Sequence, residues 1–213
     1  KAIRNRHHWI FSGAIQAMPE VENGGILPVY SHDGEQLGSA YINTRTSITG
    51  LMIAFGDTDP KESIRQNISQ AIAFRTLLFA GKDTTAYRLI NAEGDQLPGL
   101  IVDKYNDSLV IQIATLGMEQ LKPLIIEILT KELSSDCIYE KSNLPARREE
   151  GLDNTEGLLA GKVTETILIK ENGIQFLVDI VHGQKTGFFL DQREMRSLVQ
   201  SYAKDRTVLN CFS

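Results

Sequence analysis

The stretch GQKTGFFLDQREMR, residues 183–196, followed closely by VLNCFS, residues 208–213, decides how the chain is to be read. Just upstream, Thr164–Lys170 and Ile174–Val181 are β-prone runs flanking Asn172-Gly173, the dipeptide that suits a two-residue type I′ hairpin turn. A glycine-bounded polar loop, Gly183 to Gly187, leads on to Asp191-Gln192-Arg193-Glu194, which reads as a capping box opening a helix to about Ala203. Val208–Phe212 is apolar and is expected as the next strand.

Gly183-Gln184-Lys185-Thr186 has a superficial likeness to a phosphate loop. The Walker pattern needs glycine immediately before the lysine and another five residues before that one, and those places hold Gln184 and Asp179. The NTPase reading therefore fails on glycine geometry. What the segment does hold is His182, Gln184, Lys185, Thr186, Phe188, Phe189, Asp191, Gln192 and Arg193 in one strand-to-helix junction, a place where loops commonly carry sites. Residue types alone leave a second reading open, with Asp191 as a cap, both phenylalanines in the core and Lys185 solvated.

Working toward the N-terminus, residues 142–163 are polar, contain glycine and hold Arg147, Arg148, Glu149 and Glu150 in a row, so they are expected as a linker or mobile loop. Strands are expected at Tyr87–Asn91, Leu100–Tyr105, Leu109–Ala114 and Cys137–Lys141, with a helix over Met118–Leu133 that Pro123 either kinks or delays. The polar string from Arg88 to Gly99 reads as a solvated connection. Before it, Asp59-Pro60-Lys61-Glu62 starts a helix with an apolar stripe of Ile64, Ile68, Ala71, Ile72, Leu78 and Phe79, stopped by Gly81. Short β runs at Ile26–Tyr30, Leu37–Asn43 and Ile48–Phe55 suggest a small barrel or sandwich.

The 213 residues carry 22 Lys plus Arg against 27 Asp plus Glu, a net charge of −5 that argues against coating nucleic acid by bulk charge. Residues 1–80 balance seven bases with seven acids, and their bases bunch at the start: Lys1, Arg4 and Arg6, beside His7, His8 and Trp9. Such a group can hold phosphate and stack a base, or simply be a solvated end with Trp9 tucked inward. The adjacent histidines have no partner at ligand spacing, so no metal is expected. Cys137 and Cys211 form no CxxC pair, which fits a reducing, cytoplasmic compartment, and Cys211 reads as a small buried strand thiol rather than a nucleophile. No apolar run approaches the roughly 18 residues of a membrane span. The chain begins without Met and stops within an apolar run, which reads as a fragment of a longer protein.

Taken together, HHWIFSGAI (7–15), YINTRTSI (41–48), YRLINAEGDQLPGLIVDKY (87–105), EEGL (149–152) and the opening stretch with VLNCFS resemble the bacterial S-adenosylmethionine-dependent large-subunit ribosomal RNA cytosine-C5 methyltransferases that carry an N-terminal PUA domain. The resemblance runs essentially end to end. It implies a mixed α/β and α+β chain in three parts: a PUA β-barrel over 1–72, a central α+β domain over 73–163, and the start of a Rossmann-like methyltransferase domain over 164–213. It implies a chemistry in which a cysteine thiolate adds to cytosine C6, C5 takes the methyl from the sulfonium, and a base removes the C5 proton so that the thiolate leaves. That cysteine is expected beyond Ser213, so the chain alone is expected to be inactive.

Carried over by resemblance, Lys185, Thr186, Phe188, Asp191 and Arg193 are expected to shape the cofactor site, with Asn210, Cys211, Phe212 and Ser213 beginning its floor. Asp191 would accept from the cofactor's ammonium, Lys185 or Arg193 would meet its carboxylate, and Phe188 would pack against it. Ribosomal RNA is the implied partner, through Lys1, Arg4, Arg6, Trp9 and Arg45, and a homodimer is left open. Two other readings stand beside this one: an accessory RNA-binding module that never methylates, and a generic small-molecule or nucleotide-binding α/β protein.

Overall fold

A computed structural model of the protein describes residues 1–81, 83–209 and 211. The first sheet has strands β1 (Trp9–Phe11), β2 (Ile26–Tyr30), β3 (Gln36–Ile42) and β4 (Ile48–Phe55), all antiparallel in the order β1-β4-β3-β2. Each of its three pairings carries a register shift, which bends the strands locally. Side chains alternate across the sheet, so Ala40, Ile42 and Met52 close a small core with Ile10, Leu27 and Val29, while Tyr41, Leu51 and Ile53 face the main core.

Helix α1 (Pro60–Leu78) begins as the sequence predicts, with Asp59 accepting from the backbone N–H groups of Lys61 and Glu62. The reciprocal half of the expected box is replaced, since the Glu62 side chain accepts from Gln66 instead. Ile64, Ile68 and Ala71 are buried, but Leu78, expected on the same stripe, is exposed along with Phe74 and Leu77. The helix ends at Leu78, and Phe79 turns to stack on Tyr87 with ring centroids 4.3 Å apart.

The second sheet contains β5 (Ala86–Asn91), β6 (Leu100–Tyr105), β7 (Ser108–Ile113), β8 (Cys137–Ser142) and β9 (Thr155–Gly161) in sequential order. Only β7 and β8 run parallel, because the chain crosses between them through α2 (Leu116–Gln120) and α3 (Lys122–Glu132). The single helix expected there is split at Leu121, which leaves Pro123 in the first turn of α3, where its missing N–H costs nothing.

The expected linker over 142–163 is instead folded. It forms α4 (Pro145–Glu150) and then β9, the edge of the second sheet. Arg147, 1% exposed, donates to the carbonyls of Ile113 and Asp153, to Glu119 and to Thr155. A buried guanidinium is tolerated only when its donors are satisfied, and here the charge run supplies an internal tie rather than a solvated face.

Strands β10 (Thr166–Glu171) and β11 (Ile174–Asp179) make the predicted hairpin, with Asn172 at φ 49° and Gly173 at φ 81° as a type I′ turn requires. Ile167, Ile169 and Val178 from the hairpin pack against Ala86, Tyr105, Val110 and Tyr139 on the back of the second sheet. Helix α5 (Arg193–Ala203) follows. Val208 and Leu209 are exposed and lie in no strand, contrary to expectation, and Cys211 is exposed rather than buried. A strand needs a hydrogen-bonding neighbour, and among the described residues none lies alongside this run.

The two sheets are locked together by a knob. Tyr41 is buried, its hydroxyl donating to the carbonyl of Pro98 at 2.7 Å and lying 2.9 Å from Thr115 Oγ1. Its ring lies on the bare backbone of Gly117, where any Cβ would overlap the ring carbons. Gly117→Ala gains about 1 kcal/mol of helix propensity, yet overpacking a filled interface costs about 1–3 kcal/mol and here also drags the hydroxyl off two partners. The expected outcome is a net loss of about 1–2 kcal/mol, seen as a lower midpoint in chemical denaturation with an unchanged slope.

Candidate cofactor cleft

The loop after β11 is built on Asp179. Its carboxylate accepts from the backbone N–H groups of His182 (2.7 Å) and Val181 (2.9 Å), which hold its pKa below the ordinary carboxylate value. Gly183 and Gly187 both pass close over the Asp179 carbonyl, and a Cβ on Gly183 would overlap it. Between them Lys185 takes a left-handed conformation at φ 52°, and the N–H of Gly187 donates to the carbonyl of Gln184 at 2.8 Å. The tight turn aims Thr186 inward and Lys185 outward.

Thr186, 2% exposed, donates to Asp103 Oδ2 at 2.7 Å, and the Tyr105 hydroxyl lies 2.8 Å from the same Thr186 oxygen. A threonine hydroxyl has one proton, so with that proton committed to a carboxylate, Tyr105 must be the donor in the second bond. Burial pushes the Tyr105 phenol up, keeping it protonated for that role. Lys141 adds a bond to the carbonyl of Gly183 at 2.5 Å. The loop is thus sewn to β6 and β8 of the second sheet.

In front of this seam lies a cleft of about 360 Å³, within the range of small-molecule sites. Lys185, Thr186, Phe188, Asp191 and Arg193 line one side, and Phe79, Tyr87, Arg88 and Asp103 the other. Lys185 lies 4.4 Å over the Phe189 ring and 3.3 Å from Asp191, whose carboxyl it holds below the ordinary value. Asp191 therefore pairs with a cation and does not cap α5: the expected capping box is absent, Leu190–Gln192 form a 3₁₀ turn, and the helix starts without a side-chain cap. Arg193 is pinned to the carbonyl of Ala86 at 2.9 Å and lies 4.8 Å over Phe79.

Two family models match the chain: a PUA-like domain over residues 1–55 and an S-adenosylmethionine-dependent methyltransferase over residues 142–213. The chain is 40% identical over 218 residues to the Ribosomal RNA large subunit methyltransferase I of Aliivibrio fischeri, covering 100% of the chain and 55% of that relative. It is 38% identical over 217 residues to the Vibrio cholerae protein of the same name, covering 54% of it. Among solved structures it resembles a protein of Streptococcus mutans assigned as a SAM-dependent methyltransferase, with a TM-score of 0.77, 24% identity and coverage of 94% of this chain and 51% of that one. A second, SMU.776, assigned as a methyltransferase and complexed with SAH, aligns at a TM-score of 0.76 and 25% identity, covering 92% of this chain and 49% of its own.

The chain combines a PUA-like domain with a match to S-adenosylmethionine-dependent methyltransferases. It spans about half the length of the curated relatives it matches.

Of the residues expected in the cofactor site, Lys185, Thr186, Phe188, Asp191 and Arg193 share the cleft. Asn210, Phe212 and Ser213 lie outside the described residues, and Cys211 does not line the cleft. The chemistry of the lining suits the cofactor: cations for a carboxylate, an acid for an ammonium, and the rings of Phe79, Tyr87 and Phe188 for an adenosine. The sequence reading missed Phe79, Arg88, Asp103 and Tyr105. The signal for the last three is present in YRLINAEGDQLPGLIVDKY, where charged and phenolic residues recur inside apolar strands rather than only in the turn between them.

The expected RNA-binding group of the PUA-like domain is not gathered in one place. Arg4 pairs with Glu35 at 2.6 Å and Asp33 at 3.4 Å, and Arg6 lies 5.6 Å over Phe55, near one end of the first sheet. Trp9 is 40% exposed and donates to Glu93 at 3.1 Å. Arg45 lies in the β3–β4 turn against Gly151, at the other end of β4 and roughly 20 Å away by strand rise. Lys1 is exposed.

Replacing Thr186 by valine keeps shape but strands an acceptor of Asp103 and the hydroxyl of Tyr105, an expected cost of about 1–3 kcal/mol. Thermal denaturation should show it, with serine in place of valine restoring most of the loss. The Asp191 carboxyl should titrate below the ordinary range and move up when Lys185 is replaced by alanine, as read by carbon NMR of the side chain. The sign follows from linkage: a folded pKa below the unfolded one means that this pairing is present above the unfolded value and is lost as pH falls through the folded one.

Proposed function

We propose that the chain forms the RNA-binding and cofactor-gripping portion of an enzyme that methylates cytosine C5 in large-subunit ribosomal RNA. The observation that carries the reading is the cleft itself, where Lys185, Thr186, Phe188, Asp191 and Arg193 converge in a chain alike end to end to proteins named Ribosomal RNA large subunit methyltransferase I. The cofactor, when bound, supplies a methyl group from its sulfonium. This chain's residues do the holding: Asp191 accepts from the ammonium, Lys185 meets the carboxylate, and Phe188 packs on the apolar portion. Arg193, already pinned by Ala86 and Phe79, braces the wall.

In this reading the chain divides into an RNA-binding part over 1–72, a central part over 73–163, and the opening of the methyltransferase part over 164–213. The attacking cysteine of C5 chemistry lies elsewhere in the enzyme. Cys137 is buried in β8, where burial pushes its thiol up and away from the thiolate form, and neither Cys137 nor Cys211 lines the cleft. The chain alone accordingly binds without methylating. No described helix is long and apolar enough to cross a membrane, which is compatible with work on ribosomal RNA in the cytoplasm.

Calorimetric titration with S-adenosylhomocysteine should show micromolar-range binding that weakens about tenfold in Lys185→Ala and in Asp191→Ala. Filter binding of ribosomal RNA should weaken as salt rises, with a shallower slope once Arg4 and Arg6 are neutralised. RNA binding without any cofactor binding would favour the accessory-module reading instead.

A further inference from the structure

Residues 56–141 match neither family model, yet they supply a whole wall of the cleft. Within that wall Arg88 on β5 stands directly across from Asp103 on β6. Its Nε donates to Asp103 Oδ1 at 2.9 Å and its Nη2 to Oδ2 at 3.2 Å, a fork on a carboxylate that is 1% exposed. The same carboxylate accepts from Thr186, so it stays well satisfied without the whole guanidinium.

A guanidinium has five N–H donors, and the fork uses two. Among the described residues Nη1 makes no hydrogen bond, and 41% of the Arg88 side chain is open on the cleft. Two of the other cations of the lining are less open, Arg75 at 12% and Arg193 at 17% side-chain exposure. Arg75 forks Asp95 at 2.5 and 2.8 Å, Arg193 is bonded to Ala86, and Lys185 is paired with Asp191.

We infer that Arg88 binds an anionic group in this cleft, a carboxylate or a phosphate, with Asp103 as the positioning residue that fixes its guanidinium and ties that direction to Thr186. The inference rests on the cofactor reading above and extends it to a segment that neither family model covers. Arginine suits the task because its charge cannot be titrated away and its planar edge presents paired donors to paired oxygens. Two sources carry such oxygens: the amino-acid end of the cofactor, and the RNA backbone.

Arg88→Gln in the intact protein separates them, with S-adenosylhomocysteine, 5′-methylthioadenosine and ribosomal RNA as probes. Methylthioadenosine keeps the adenosine but lacks the carboxylate. A loss of about ten- to a hundredfold for S-adenosylhomocysteine, with methylthioadenosine unchanged, supports the inference and assigns the carboxylate. Unchanged S-adenosylhomocysteine with weaker RNA binding, and a salt slope smaller by about one, supports it with phosphate as the source. Equal losses for S-adenosylhomocysteine and methylthioadenosine, or no change with any probe, overturn it, because Arg88 would then only brace the wall. Arg88→Lys keeps a cation on Asp103 without the fork and should show the same pattern more weakly, which guards against a misfolded glutamine variant. Unsubstituted protein that binds none of the three probes would instead sink the cofactor reading.

Discussion

Asp103 is a carboxylate taken almost wholly out of water, and much of the cleft is arranged around satisfying it. A buried charge costs several kcal/mol unless its lone pairs are met by well-placed donors. Here the donors come from two directions, with a third residue behind one of them. Arg88 reaches across the adjacent strand, Thr186 comes from the loop after the hairpin, and Tyr105 supports Thr186 from the same strand as Asp103. Because the group is tolerable only with its donors in place, the loop, β5 and β6 hold one geometry together. The position of Lys185 and the open side of Arg88 follow from that requirement.

A second constraint fixes where the PUA-like sheet stands relative to the cleft. The Tyr41 knob is joined two residues further on, just past the end of β3, by Asn43, whose side chain donates to Glu150 at 2.7 Å, and Glu150 in turn accepts from the N–H of Leu116. Arg147 anchors the same helix from within. Neutral and charged bonds thus sit inside a continuous apolar core that spans both sheets, running from Leu51 and Ile53 to Leu100 and Ile113. Polar groups buried in this way add little net stability, but they penalise every arrangement that separates them. The first sheet therefore stands at a set distance from the cleft.

How much of this could be read beforehand depends on whether the signal was local. Asp59-Pro60 and Asn172-Gly173 specify their own backbone through φ preferences and a cap, and both elements form where expected. Residues 142–163 misled because arginines and glutamates in a row look alike whether water or a buried partner satisfies them, and the partners, Ile113, Glu119 and Asn43, are distant in sequence. Asp191 misled in the opposite way. Its spacing suits a cap, but the tertiary pairing with Lys185 takes the carboxylate first. The five lining residues from the loop were legible as a group, whereas the opposite wall was not, because Arg88 and Asp103 acquire meaning only when two strands pair.

The left-handed backbone at Lys185 bears on how the cleft is ready to bind. A non-glycine residue in that region costs on the order of 1 kcal/mol and persists only where its surroundings over-determine it. They do so here: Gly187 bonds back to Gln184, Gly183 is clamped by Lys141 and crowded by Asp179, and Thr186 is held by Asp103. The strain is met by folding rather than by the ligand. A ligand entering such a cleft need not pay to order the loop, so more of its contact energy appears as affinity. By the same logic, weakening any one clamp should loosen ligand binding as well as stability, since the geometry it holds is what the ligand requires.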